Sequence, residues 1–291
     1  MKKSKSRIVF EIFNIILMVV LIVLTLYPIL NQLAVSLSSN TGILTGEVKL
    51  LPIDFSLDTY KGLMKESKFW INYKNTIVYT VLGTVIGLFM TTICAYALSK
   101  KRLVGRVVIL RLIVFTMFFG GGLIPTYNLI KNLNMLDTIW AIVIPGAIIP
   151  YNVLLMKTYF EGLPVELEEA SSIDGLSQLG FFTKIALPLS KPILATMTLF
   201  ISVAYWNDWF AALLYLNDGD RYPVTLYLRN IMMGATMASQ TGLNIDASTV
   251  QSVPEGIQAA SMILVIVPIL CIYPFVQKHF VKGVMIGSIK G

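Results

Sequence analysis

Ionisable side chains are scarce in this sequence. Only 13% of its 291 residues are Asp, Glu, Lys or Arg, about half the share of an ordinary soluble domain. Histidine occurs once, at His279, beside Lys278. Its plain reading is an interfacial residue rather than a catalytic one. Cys94 and Cys271 are the only cysteines, and both fall inside apolar runs. They read as small buried hydrophobes, and no disulfide framework or clustered Cys/His metal site is indicated. No G-x-x-x-x-G-K-[ST] loop is present to cradle a nucleotide phosphate, so the chain is not expected to hydrolyse ATP by itself. H-E-x-x-H and G-x-S-x-G are missing as well, and nothing argues for an enzyme. No catalytic, cofactor or metal residue is assigned.

What the chain has in abundance is apolar sequence. It is 56% hydrophobic, with a mean hydropathy of +0.74. An all-α integral membrane protein is the expected class, a single domain over 1–291. Six apolar runs, at about 8–30, 75–98, 107–129, 138–156, 192–216 and 257–276, each have the ~20 residues needed to cross ~30 Å of hydrocarbon. The first follows the basic start MKKSKSR but is longer than a signal h-region, so it reads as an uncleaved span. Gly120, Gly121, Gly122 and Pro125 interrupt the third run and suggest a bend or close packing.

Charge sets the orientation. A net charge of +7 in a membrane protein reflects topology more than nucleic acid, and no nucleic-acid partner is expected. With the start, the 99–106 connector, the 157–191 segment and the tail on one side, that side holds fourteen of the 23 Lys and Arg. The positive-inside rule then puts both termini in the cytoplasm, which six spans satisfy. The 31–72 and 217–256 loops would face outward.

The longest polar interruption on the basic side is the 159–191 segment, between spans four and five. It reads as two short helices. Pro164 suits a first helical position, and Glu166, Glu168 and Glu169 complement the positive end of the helix dipole. Gly175 is a natural terminator, Ser177 can cap the second helix, and Pro188 is expected to stop it. Within the spans, Glu11 and Asn14 sit near the basic start, where Glu11 can pair or snorkel. Trp206, Asn207, Asp208 and Trp209 lie in the outer half of span five. They form either an interfacial aromatic belt or part of a wet path on which sugar rings stack.

At the hairpin the residues take a familiar form. Glu169, Ala170 and Ser171, then three residues, Gly175, and finally Ile185-Ala-Leu-Pro188 resemble the EAA loop of ABC importer permeases. Ser171 replaces the second alanine, a small-for-small change. IPTYNLI (124–130), PYNVLLMKTYF (150–160), WNDWF (206–210) and the tail FVKGVMIGSIKG are similar to carbohydrate importers related to the maltose system. The resemblance implies a multi-pass subunit of the bacterial cytoplasmic membrane that pairs with a second, homologous permease. It also implies an ATP-binding subunit pair, which holds all the ATP, and an extracytoplasmic solute-binding protein that delivers a carbohydrate. Glu168, Glu169, Ala170, Ser171, Asp174, Gly175 and Pro188 would form the ATPase-coupling surface, with Glu169 meeting a basic residue of the ATPase. The corresponding loop of the maltose system enters the binding protein, which draws attention to 244–254 here. The tail suggests an oligosaccharide, uronic-acid-containing ones included. The competing readings are an ion-coupled secondary transporter, which needs more mid-membrane carboxylates than the spans offer, and a membrane scaffold.

Overall fold

The computed structural model describes residues 5–241 and 253–288. The expected binding-protein loop at 244–254 lies almost wholly outside them. Among the described residues there is no strand, only an isolated antiparallel bridge between Ser38 and Phe55. The chain falls into two compact units, Met1–Trp70 with Leu228–Val267, and Ile71–Tyr227 with Pro268–Gly291.

In the first unit, helix α1 (Lys5–Ser36) carries its apolar side chains outward all round, Phe10 and Leu24 among them. Such a surface is untenable in water and ordinary in lipid. Its carboxyl end is tied by polar contacts. Tyr60 Oη donates to Ser36 Oγ at 2.8 Å, and the Asn31 amide donates to the carbonyls of Val48 and Lys49. Helix α2 (Asn40–Leu44) is capped by Ser39, and α3 (Asp58–Lys65) follows.

Helix α4 (Ser67–Ser99) leads into the second unit and is roughly 50 Å long at 1.5 Å per residue. It starts eight residues before the apolar run that announced it. After it come α5 (Arg106–Phe118), α6 (Leu123–Asn132), α7 (Ile139–Val143), α8 (Pro150–Glu161) and α9 (Val165–Ile173). Then follow α10 (Gln178–Leu189), α11 (Lys191–Asn207), α12 (Phe210–Tyr215), α13 (Val224–Thr241) and α14 (Pro254–Ser288). Ala95, Val153, Met156, Phe181, Ala186, Met197 and Ile201 form a buried core joining α4, α8, α10 and α11. Small residues bring the helices close, as they do in lipid where apolar burial gives little drive. A Cβ on Gly83 would lie 2.5 Å from the Tyr205 ring.

Three helices are long and apolar enough to span by length and composition: Phe10–Ser36, Ser67–Ser99 and Pro254–Cys271. Two bent pairs raise the number to five. The remaining expected spans are therefore not continuous helices, and each break has a cause in the sequence. Span three turns by 116° at Phe119–Gly122, where Gly122 has φ 86°. Its α5 segment alone is about 20 Å long. Span four splits around Pro145, Gly146 and Pro150 into α7 and α8. The carbonyl of Val143 freed by this break accepts a 2.7 Å hydrogen bond from Tyr205 Oη, since an unpaired backbone group inside a membrane is costly. Span five ends early at Asn207, where the chain breaks before α12. The outer polar segment, expected as a loop over 217–256, contains helix α13.

Two polar knots mark opposite sequence ends of these helices. In one, the 99–106 connector meets Glu161 and Glu168. In the other, the Asp137 carboxylate accepts from the backbone N–H groups of Asn217 and Asp218, and Arg221 donates to the Asp137 carbonyl. Asn75 donates to the carbonyls of Asp220 and Tyr222, while Thr76 Oγ1 accepts from Val224 N at 2.7 Å.

Candidate functional site

The hairpin is built as its sequence indicated, with small shifts. Pro164 stands just before α9 rather than as its first residue, and Glu166 and Glu168 fill the first turn. Asp174 ends the helix and Gly175 takes φ 77°. Leu176 N then bonds Ser171 O at 2.9 Å and Gly175 N bonds Ser172 O at 3.1 Å, the paired closure that needs a left-handed residue at this position. Ser177 Oγ caps α10 by accepting from Gly180 N. Pro188 does not stop that helix. A π turn over Phe182–Ala186 precedes it, the helix runs on to Leu189, and a 78° bend at Ser190 leads into α11. The wide turn accommodates the proline without an interruption at its own position, and such bulges concentrate at functional places.

The acidic residues part company on α9. Glu168 faces inward, its side chain 24% exposed, with one oxygen 2.6 Å from Lys100 Nζ and the other 3.0 Å from Arg102. Burial raises its carboxyl pKa, but the Lys100 hydrogen bond, the charges of Lys100 and Arg102, and Gln178 together bring it below the usual range. Both carboxylate oxygens of Glu168 are thus engaged within the chain. Ser171 is also turned in, buried, with its hydroxyl on the Glu168 carbonyl. Glu169 and Ala170 point outward, and Glu169 has no ion pair within the described residues. Asp174 and Gly175 are exposed at the tip, as is Pro188 farther on. Val165, Ile173 and Leu179 are also exposed, Ile173 by 86%.

Beneath the hairpin, residues outside the expected set hold it. Lys100 Nζ lies 4.5 Å above the Tyr96 ring and 5.0 Å from the Phe181 ring. Tyr96 packs on Phe160 and Phe182, with centroids 5.5 and 4.4 Å away. Arg106 and Lys157 both pair with Glu161. The signal for these contacts was present as complementary charge on two connectors, the basic 100–106 and the acidic 161–169. A groove of about 750 Å³, lined by Lys101, Arg102, Val165, Glu169 and Ile173 among others, opens between connector and hairpin.

The four residues at 206–209 have structural tasks. Trp206 is buried and packs edge-on against Tyr73 at 5.9 Å. The Asn207 amide donates to Val203 O, and Asp208 Oδ1 accepts from the N–H groups of Phe210 and Ala211, starting α12. Trp209 packs against Phe210. A cavity of about 40 Å³ lined by Thr80, Ser202 and Trp206 has room for water, not for a sugar.

A helical membrane protein with broken spans, whose polar hairpin is held on one side and exposed on the other, has the form of a transport subunit. The chain belongs to the family of binding-protein-dependent transport system inner membrane components, matched over residues 73–286. It is therefore the non-enzymatic membrane component of a bacterial transport system. It is 41% identical over 292 residues to Protein LplC of Bacillus subtilis, covering 100% of this chain and 98% of that one. It is 37% identical to a polygalacturonan/rhamnogalacturonan transport system permease protein of the same organism, YtcP, covering 96% and 97%. In structure it is similar to a chain of a bacterial ABC transporter involved in the import of the acidic polysaccharide alginate. The TM-score is 0.85 at 34% identity, with 96% of this chain and 99% of the other covered.

Proposed function

We propose that this chain is the permease subunit of an oligosaccharide ABC importer, and that its hairpin receives motion from a separate ATP-hydrolysing subunit. The observation that carries the coupling role is the division of α9. Glu168 and Ser171 hold the hairpin, whereas Glu169, Ala170 and Ile173 form an exposed edge on which Glu169, without an ion pair among the described residues, stands beside apolar side chains. Such an edge suits an apolar cleft bearing a basic residue. Gly175 and Asp174 then shape the turn, and Pro188 lies on the return arm.

Two further parts of the reading concern membrane and cargo. The ion pairs that join the 99–106 connector to the hairpin, and the separate knot around Asp137 and Arg221, support placing these groups at opposite faces. Six crossings with both termini cytoplasmic fit that arrangement. In it the third, fourth and fifth crossings are bent or broken segments rather than single rods. Trp206, Asn207, Asp208 and Trp209 would border a path completed by a second, homologous permease, since the cavity of about 40 Å³ beside Trp206 is too small for cargo. The named relatives favour acidic oligosaccharides delivered by an extracytoplasmic solute-binding protein.

The test has two arms. Affinity purification of the tagged chain, expressed with its genomic neighbours, is expected to recover an ATP-binding subunit and a second permease. Titration of the cognate binding protein with neutral and uronic-acid oligosaccharides is expected to show tight binding only in the acidic set. Recovery of the chain alone would sink the coupling role. Tight binding of neutral sugars alone would sink the acidic cargo while leaving coupling intact.

A further inference from the structure

The hairpin is attached covalently at two ends, through Gly162–Pro164 and through the bend at Ser190. A short helix held only by its ends would pivot when pushed and leave its neighbours where they were. A lateral ionic fastening of α9 opposes that. Glu168 is gripped by Lys100 and Arg102, and both belong to the connector that follows α4 directly. Glu166 and Glu169 on the same helix make no such contact within the described residues.

The fastening has three properties of a stiff link. Lys100 is itself wedged by the faces of Tyr96 and Phe181, so its ammonium is fixed by ring electrostatics as well as by the carboxylate. Both partners of the pair are largely shielded, at 20% and 24% side-chain exposure, where screening by water and salt is reduced. Lys100 also stands at the carboxyl end of α4, the negative end of its dipole. From there α4 runs unbroken back to Asn75 and Thr76, which bind the 219–224 connector at the other knot. Glu168 therefore ties α9 to the α4 rod, on which Phe181 and Phe182 of α10 also pack, and through that rod to the opposite connector.

We infer that Glu168, clamped by Lys100 and Arg102, is the strut that carries displacement of the hairpin into α4, and so is a positioning residue for transport. The inference rests on the coupling role proposed above. Glu168 works inside the permease, while the exposed Glu169 faces the ATPase.

The test uses the complete complex in proteoliposomes, with the binding protein loaded with the oligosaccharide selected by the titration above. Saccharide transported per ATP hydrolysed is measured for the wild type and for Glu168→Gln, Lys100→Met and Lys100→Arg. Glu168→Gln and Lys100→Met are expected to lower that ratio at least about fivefold, the lower end of measured coupling between linked sites. ATPase activity should continue in both. Lys100→Arg should keep the wild-type ratio, and the Glu168→Gln/Lys100→Met double variant should be no worse than either single one, because both remove the same contact. An unchanged ratio in Glu168→Gln overturns the strut. Loss of complex assembly in both single variants also overturns it, since the contact would then only hold the fold. If the wild-type chain itself fails to couple to an ATPase, the coupling role falls instead, which keeps the two failures distinct.

Discussion

At the scale of single residues, neighbouring glutamates on one short helix have unlike environments. The cations around Glu168 hold its pKa down against burial, and Glu169 stands exposed with no ion pair among the described residues. A carboxylate whose pKa is lower folded than unfolded adds stability above its unfolded pKa, about 4.3 for Glu. That stability is lost as pH falls through the lower folded value. Thermal melts of the purified protein should therefore show wild type above Glu168→Gln near neutral pH, with the gap closing in acid below about pH 4. A gap constant with pH would contradict the ion-pair origin. Tyr205 makes a second residue-scale case. Tyr205→Phe removes the donor to the Val143 carbonyl, leaving a buried acceptor unpaired, and should destabilise by about 1–3 kcal/mol. Gly83→Leu should cost at least as much, because even a Cβ there would meet the Tyr205 ring; detergent melting temperatures check both.

At the scale of elements, the ends of helices were legible where local chemistry decides them. Ser177 and Gly175 act through their own side chain and backbone freedom, and both stand as the sequence indicates. Pro188 misled because a π turn, which has no sequence signature here, changes what a proline does to the turn before it. The breaks in spans four and five were harder to see. Apolar composition counts residues that belong to the membrane without saying whether they form one rod, and partners such as Tyr205 for Val143 come from distant sequence. Asp208 is the clearest instance. It read as a polar intruder in a span and is the residue that starts a new helix. Asp208→Ala should lose about 1 kcal/mol through that start alone. Asp208→Asn, which keeps an accepting oxygen, should restore most of the stability. Uptake by the Asn variant near wild type would show that the negative charge has no part in the path, whereas uptake lost at full stability would give the carboxylate a role in it.

At the scale of the whole molecule, the membrane class was readable from composition, and the family from the EAA loop together with the stretches at 124–130, 150–160 and 206–210 and the tail. The lateral clamp was not, although its charges were counted for topology. Sequence spacing does not show that Lys100 and Glu168, 68 residues apart, share one contact. That contact changes the meaning of the acidic run: part of it binds inward, and only the remainder is left for a partner.

The most direct test of the coupling claim is the ATPase activity of the reconstituted complex, measured with and without loaded binding protein, for Glu169→Lys beside wild type. Reversing the charge of Glu169 on the docking edge should bring substrate-stimulated hydrolysis down to the unstimulated level and abolish uptake, while the melting temperature of the isolated permease stays unchanged. Full stimulation and full uptake in Glu169→Lys would contradict the claim that this edge of the hairpin is where the ATPase engages the membrane helices.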